Sequence, residues 1–273
     1  MSLIPKLACD FLFDKEQLSD YGMILCNFDG NGDGTFSFGN NITFNTVKPA
    51  LSNVNFLSSV TYEDTITTTF QTCKNTCNNT ELALYPDEIS AITRWLCRKE
   101  CCKLKIYQDG YEDLYFNGSF NNPQEIKIGG KICGLEFTFV SNAPYAYLDS
   151  VILNFTTSSA SSFCINNLSH EVGNLYPSKF TCKCLTNGDL IIKNSLDTKS
   201  VELKNCIKGE IITLDGIHKI IESNVVAHEN IYNDFNYNFF RLVSTYYDFN
   251  NIITTSIPCE ISLEYNPIRK VGI

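Results

Sequence analysis

Residues Leu135–Ser150 read Leu-Glu-Phe-Thr-Phe-Val-Ser-Asn-Ala-Pro-Tyr-Ala-Tyr-Leu-Asp-Ser, an alternating strand halted by a proline. Successive side chains of an extended backbone face opposite ways, so Leu135, Phe137 and Phe139 share one side while Glu136, Thr138 and Val140 share the other. Pro144 has no N–H to give a ladder, and the strand must end before it. Strand-rich sequence continues on both sides, so the run marks a seam between two β modules, 1–146 and 147–273. The expected class is mainly β: an N-terminal sandwich-like domain with one α-helix, then a C-terminal antiparallel sandwich.

In the first module, Leu7, Cys9, Phe11 and Phe13, then Tyr21, Met23 and Leu25, predict two early strands with Ser19-Asp20 turning between them. Ile42–Val47 continues the pattern, and Thr61–Cys73 is a Thr-rich run whose β-branched side chains suit a pleated surface. The one convincing helix is predicted over about 86–98. Pro86 suits a first helical position, Asp87 and Glu88 sit at the positive end of the dipole, and Ile89, Ile92, Trp95 and Leu96 form one apolar stripe. Strands are expected again at Lys103–Tyr107, Leu114–Asn122, Gln124–Ile128 and Lys131–Val140, with Gly129-Gly130 as a primed hairpin turn.

Beyond the seam, turn signals recur every eight to twelve residues, at Asn166-Asn167, Asn187-Gly188-Asp189, Asn194-Ser195, Asp215-Gly216 and Asn250-Asn251. That spacing with no long helix predicts a sandwich. The candidate strands are Phe180–Cys184, Leu190–Asn194, Ser200–Leu203, Glu210–Leu214, Lys219–Ser223, Phe240–Ser244 and Cys259–Tyr265.

The 273 residues carry a formal charge of −9, which argues against a surface that grips nucleic acid, because such binding needs clustered cations to displace counterions. No window approaches the roughly 18 apolar residues of a membrane span, and the first residues lack a basic segment followed by an apolar one. The expectation is a chain that folds in the cytoplasm without a membrane partner. Thirteen cysteines cannot all pair internally, and the cytosol favours free thiols.

The candidate chemistry is sparse. Asp29-Gly30-Asn31-Gly32-Asp33-Gly34 reproduces the first half of an EF-hand calcium loop, but the twelfth position is Asn40 where a bidentate Glu is needed, so a solvated turn is the better reading. Cys73, Cys77, Cys97 and Cys101 have spacings that a four-thiolate zinc site tolerates, with burial of small apolar side chains as the plainer alternative. Cys182 and Cys184 point the same way from one strand and read as core packing. None of His170, His218 and His228 lies in a nucleophile or metal motif, so no catalytic residue and no cofactor-binding loop is assigned and an enzyme is not expected. In the aromatic run Ile231–Arg241, Phe235, Tyr237 and Phe239 are expected to pack, leaving Tyr232 and Arg241 as candidate partner contacts.

The order of several segments resembles the distal tail proteins of bacteriophages of Gram-positive hosts. They are Phe11-Leu12-Phe13-Asp14 followed by Leu18-Ser19-Asp20-Tyr21-Gly22-Met23, Ile92-Thr93-Arg94-Trp95-Leu96, Tyr115-Phe116-Asn117-Gly118-Ser119-Phe120 and the seam itself. Gly188-Asp189-Leu190, Asn205-Cys206, Ile212-Thr213-Leu214-Asp215-Gly216, Asn233-Asp234-Phe235-Asn236 and the closing Tyr265–Ile273 extend the likeness over nearly the whole chain.

The resemblance implies an N-terminal domain that closes into a homohexameric ring around the tail channel, and a galectin-like C-terminal sandwich displayed outside. It implies a structural virion protein at the tail tip, assembled in the host cytoplasm, that joins tail tube to baseplate hub and lets DNA pass. Expected partners are other copies of itself, the tail tube protein, the tail-associated hub protein and a receptor-binding protein. Six copies would carry −54, which disfavours lingering contact with passing DNA. A saccharide-binding, lectin-like role for the C-terminal module is the alternative. The only tryptophan, Trp95, lies outside that module.

Overall fold

The computed structural model describes residues 9–28, 42–62, 65–75, 81–228 and 230–271. The chain divides into two units, Leu148–Ile268 and the residues before it, with Arg269–Ile273 grouped with the first.

The first unit is built on an antiparallel sheet. Its strands run Glu16–Gln17, Phe11–Phe13, Cys102–Ile106, Leu114–Ile128, Lys131–Ser141, Thr67–Lys74 and Met23–Cys26 in spatial order. The seam alternation is realised: Leu135, Phe137 and Phe139 are buried while Glu136, Thr138 and Val140 are not. Register places Phe120 opposite Phe139 and Phe70 opposite Phe137, stacking aromatic rungs on one face. Gly129 and Gly130 have φ of 59° and 81°, the left-handed pair a primed turn demands.

The helix Pro86–Leu96 covers that aromatic face with Ile92, Trp95 and Leu96. Its first turn is closed by the Glu88 carboxylate accepting the Tyr85 N–H at 2.8 Å. Cys97 leaves helical geometry at ψ 72°, so the helix stops two residues short of the expected Arg98. Trp95 stacks on Phe11 at 5.7 Å and Tyr21 at 4.7 Å, and its indole N–H donates to the Phe13 carbonyl at 3.1 Å.

Gly118 shows why the segment Tyr115–Phe120 is so specific. A Cβ there would stand 2.4 Å from the Val140 carbonyl oxygen and 2.5 Å from the Phe139 ring. Gly118→Ala is therefore expected to destabilise the first unit by about 1–3 kcal/mol through overpacking. Trp95 is the only tryptophan, so the midpoint of denaturant unfolding followed by its fluorescence reads this unit directly.

Two expectations fail here. Thr61–Cys73 is not one strand, because Phe56–Tyr62 pairs with Ile42–Val47 in its own two-stranded sheet while Thr67–Lys74 joins the large one. Leu114–Ile128 is continuous across Pro123, since the register shifts between Asn121 and Gln124 and the bulge absorbs the missing donor.

The second unit is a two-sheet antiparallel sandwich. One sheet runs Val151–Thr157, Cys259–Tyr265, Lys179–Cys184, Ile211–Asp215 and Ile220–Ser223 in spatial order. The other runs Phe163–Asn166, Asn250–Thr255, Gly188–Asn194 and Val201–Cys206. Phe180, Leu214 and Leu263 from the first meet Leu190, Ile192, Leu203 and Ile253 from the second in one core. Asn250-Asn251, expected as a turn, opens a strand instead. The fully buried Asn251 donates to the Val243 and Phe249 carbonyls and accepts from the Val243 N–H and the Asn194 amide.

Candidate functional site

The hairpin of Ile42–Val47 with Phe56–Tyr62 is the most conspicuous surface feature. Its β-branched and aromatic residues favour extension, and Leu51 at φ 67° with the Ser52 N–H donating to the Pro49 carbonyl turns the chain between the strands. Every residue of Ile42–Val47 is exposed. Phe44 is 62% and Phe56 59% exposed, with Ile42, Val47, Leu51, Val54 and Leu57 also open to solvent. A two-stranded hairpin is marginal by itself, and the apolar side chains it exposes make it a candidate contact surface. The first unit also has a concave apolar feature. A groove of about 550 Å³ lies between the helix and the sheet, lined by Ile89, Thr93, Cys97 and Ile132 together with the charged Arg94 and Glu125.

In the second unit Tyr232 is exposed, as expected, but Tyr237 is exposed rather than packed, held at φ 59°. Arg241 is the converse case. It is largely covered, and its Nε and Nη2 each donate at 2.7 Å to the two oxygens of Asp197, which leaves its fork committed within the fold. Burial opposes ionisation of Asp197, yet the Arg241 guanidinium and the Lys199 N–H outweigh it and hold the carboxyl below its usual range. A depressed folded pKa means stability present above the unfolded value, about 3.9, and lost as pH falls through the folded one. Asp197→Asn is expected to cost about 1.5–3 kcal/mol at neutral pH. Urea unfolding across acid pH should show the wild-type advantage shrinking as its own carboxyl protonates. Tyr246 and Tyr247, 80% and 96% exposed, escaped sequence reasoning, which had no signal separating them from core aromatics.

A polar cluster was also missed, because its members are distant in sequence. The Ser223 hydroxyl and His228 Nδ1 both approach Glu210 Oε1, at 2.6 and 2.7 Å, and the Ile207 N–H donates to Oε2 at 3.0 Å. His228 Nε2 lies 3.3 Å from Asp234 Oδ2 without hydrogen-bond alignment. The serine engages the carboxylate and not the imidazole, so the arrangement clamps a turn and does not prepare a nucleophile.

Of the cysteines considered as zinc ligands, Cys73 lies beside Cys26, whose thiol is pushed up by burial and by Cys73. Cys97 ends the helix and Cys101 is exposed. Cys73, Cys97 and Cys101 form no three-ligand group among the described residues, and Cys77 lies outside them, as does the Asp29–Gly34 loop. On the sandwich, a groove of about 480 Å³ is crossed by the Lys183–Glu260 ion pair at 2.9 Å. The aromatic residue among its lining, Phe155, is buried, so the groove offers no ring on which a sugar could stack.

Residues 7–143 match a sequence model described as phage tail protein N-terminal domain, and residues 145–265 one described as phage tail C-terminal domain. The chain belongs to this phage tail protein family. Its fold is similar to the crystal structure of SPP1 Dit (gp 19.1), described as a paradigm of the hub adsorption apparatus in phages infecting Gram-positive hosts. That match has a TM-score of 0.63 at 12% identity and covers 96% of this chain and 99% of that one. Chains of the phage P2 baseplate in its activated conformation, with Ca and with Sr, match at TM-scores of 0.41 and 0.35. They share 8% and 10% identity, covering 95% and 89% of this chain and 98% and 96% of theirs. No curated protein sequence matches.

Proposed function

We propose that this tail protein is a distal tail component that closes head to tail into a homohexameric ring, joining the tail tube to the tail-tip hub and leaving a channel for DNA. The observation that carries the reading is the exposed apolar hairpin of the first unit. A cyclic contact uses two different patches on each subunit. The hairpin supplies the projecting patch and the helix-side groove the receiving one, so each copy covers the apolar surface of its neighbour. The likeness of fold to SPP1 Dit supports the assignment, and the copy number of six follows the resemblance to distal tail proteins.

In this reading the ring assembles in the host cytoplasm and sits at the tail tip. The tube protein docks on one side, the hub protein on the other, and exposed tyrosines of the second unit are available to a receptor-binding protein. The chain acts through geometry and has no enzymatic task. Mass photometry of the purified full chain, 30.8 kDa per copy, tests this. The expected result is a hexamer population that grows with concentration or with added hub protein, and a monomer under all these conditions overturns it. The charge of −9 per copy further predicts no gel shift of duplex DNA at physiological salt.

A further inference from the structure

Four cysteines from three strands converge inside the second unit. Cys182 and Cys184 are two residues apart on one strand and so face the same side, and Cys259 is the direct cross-strand partner of Cys184. Their three sulfur atoms all lie within 4.8 Å of one another, and all three residues are fully buried. Cys206, the last residue of a strand in the facing sheet, is buried too and brings its thiol to Cys184 from the other side. The three sulfurs on one sheet form a base; Cys206, beside Cys184 but outside that 4.8 Å group, has to turn its thiol away from the Leu203 carbonyl to supply an apex from the opposite sheet.

Zinc bound to four thiolates at about 2.3 Å places its sulfurs roughly 3.8 Å apart in a tetrahedron. The basal sulfurs therefore need to move by no more than about 1 Å. Packing alone gives no reason to gather the thiols, since Val, Ile or Leu at the same inward positions would fill more volume and bury more apolar surface.

We propose that Cys182, Cys184, Cys206 and Cys259 bind one zinc(II) ion as thiolates within the C-terminal sandwich. Each ligand gives up its thiol proton to solvent as the metal–sulfur bond forms, and no oxidation state changes. The ion ties the two sheets together across their core. In the thiol form Cys206 and Cys259 have the Leu203 and Ile257 carbonyls as partners, so the metal-free chain can still fold and zinc adds stability to it.

The test uses the full chain expressed with added zinc and purified under a reductant. Elemental analysis should find close to one zinc per chain, and cobalt(II) exchanged into the wild type should give thiolate charge-transfer bands and the intense visible bands of tetrahedral coordination. Cys182→Ser with Cys184→Ser should abolish both signals, whereas Cys73→Ser with Cys97→Ser should keep them. The proposal is overturned by wild-type protein without zinc and without cobalt bands. Retention of zinc by the Cys182/Cys184 variant, or a disulfide among the four cysteines in the intact mass after non-reducing alkylation, overturns it equally. The wild-type spectra decide the matter even where a variant fails to fold.

Discussion

Phe44→Asp combined with Phe56→Asp should abolish the self-association proposed above and leave a stable monomer. Both rings stand mostly in solvent on the hairpin, so replacing them removes little packing within the described first unit, and surface changes usually stay within about 0.5 kcal/mol. In the ring proposed above, the same positions would be covered by a neighbouring copy. A carboxylate there would be desolvated without a partner, at a cost of several kcal/mol per interface, repeated at every interface of a closed ring. Mass photometry should show loss of all higher species, with the unfolding midpoint of the dilute protein unchanged. An oligomer that survives the double substitution would remove the hairpin from the interface.

Trp95→Ala should cost the first unit about 3–5 kcal/mol, the range for truncating a buried aromatic. Trp95 is 3% exposed and is the hub on which Phe11, Phe13 and Tyr21 converge. Its loss also orphans the Phe13 carbonyl that the indole N–H satisfied. Trp95→Phe keeps most of the stacking and loses the hydrogen bond, so it should cost clearly less. Circular dichroism during urea unfolding measures both variants, and the second unit, with its separate core, should unfold where it does in the wild type. Equal midpoints for Trp95→Ala and wild type would mean that the helix does not anchor the aromatic face.

Local pattern was legible wherever one residue type decided the backbone. Pro86 and the stripe through Trp95 marked the helix, Gly129-Gly130 the hairpin turn, and Phe137 and Phe139 the buried face of the seam strand. Pro123 misled because its cost depends on the register of the partner strand, which no local window contains. Asn251 misled more deeply. An asparagine beside another suggests a turn, but here four hydrogen bonds, to Asn194 on a distant strand, to Val243 and to Phe249, make a polar residue the best fit to a buried site. The hairpin was read correctly as strand at Ile42–Val47, but its apolar exposure is a property of what fails to pack on it. The convergence of Cys182, Cys184, Cys206 and Cys259 was invisible for the same reason, since their meeting depends on strand order and on the facing of two sheets.

The ring is the central claim, and electron microscopy of the purified full chain, alone and mixed with its tail hub protein, tests it most directly. Class averages should show a six-lobed annulus with an open centre. Single compact particles in every class, at high concentration and with the hub protein present, would contradict it.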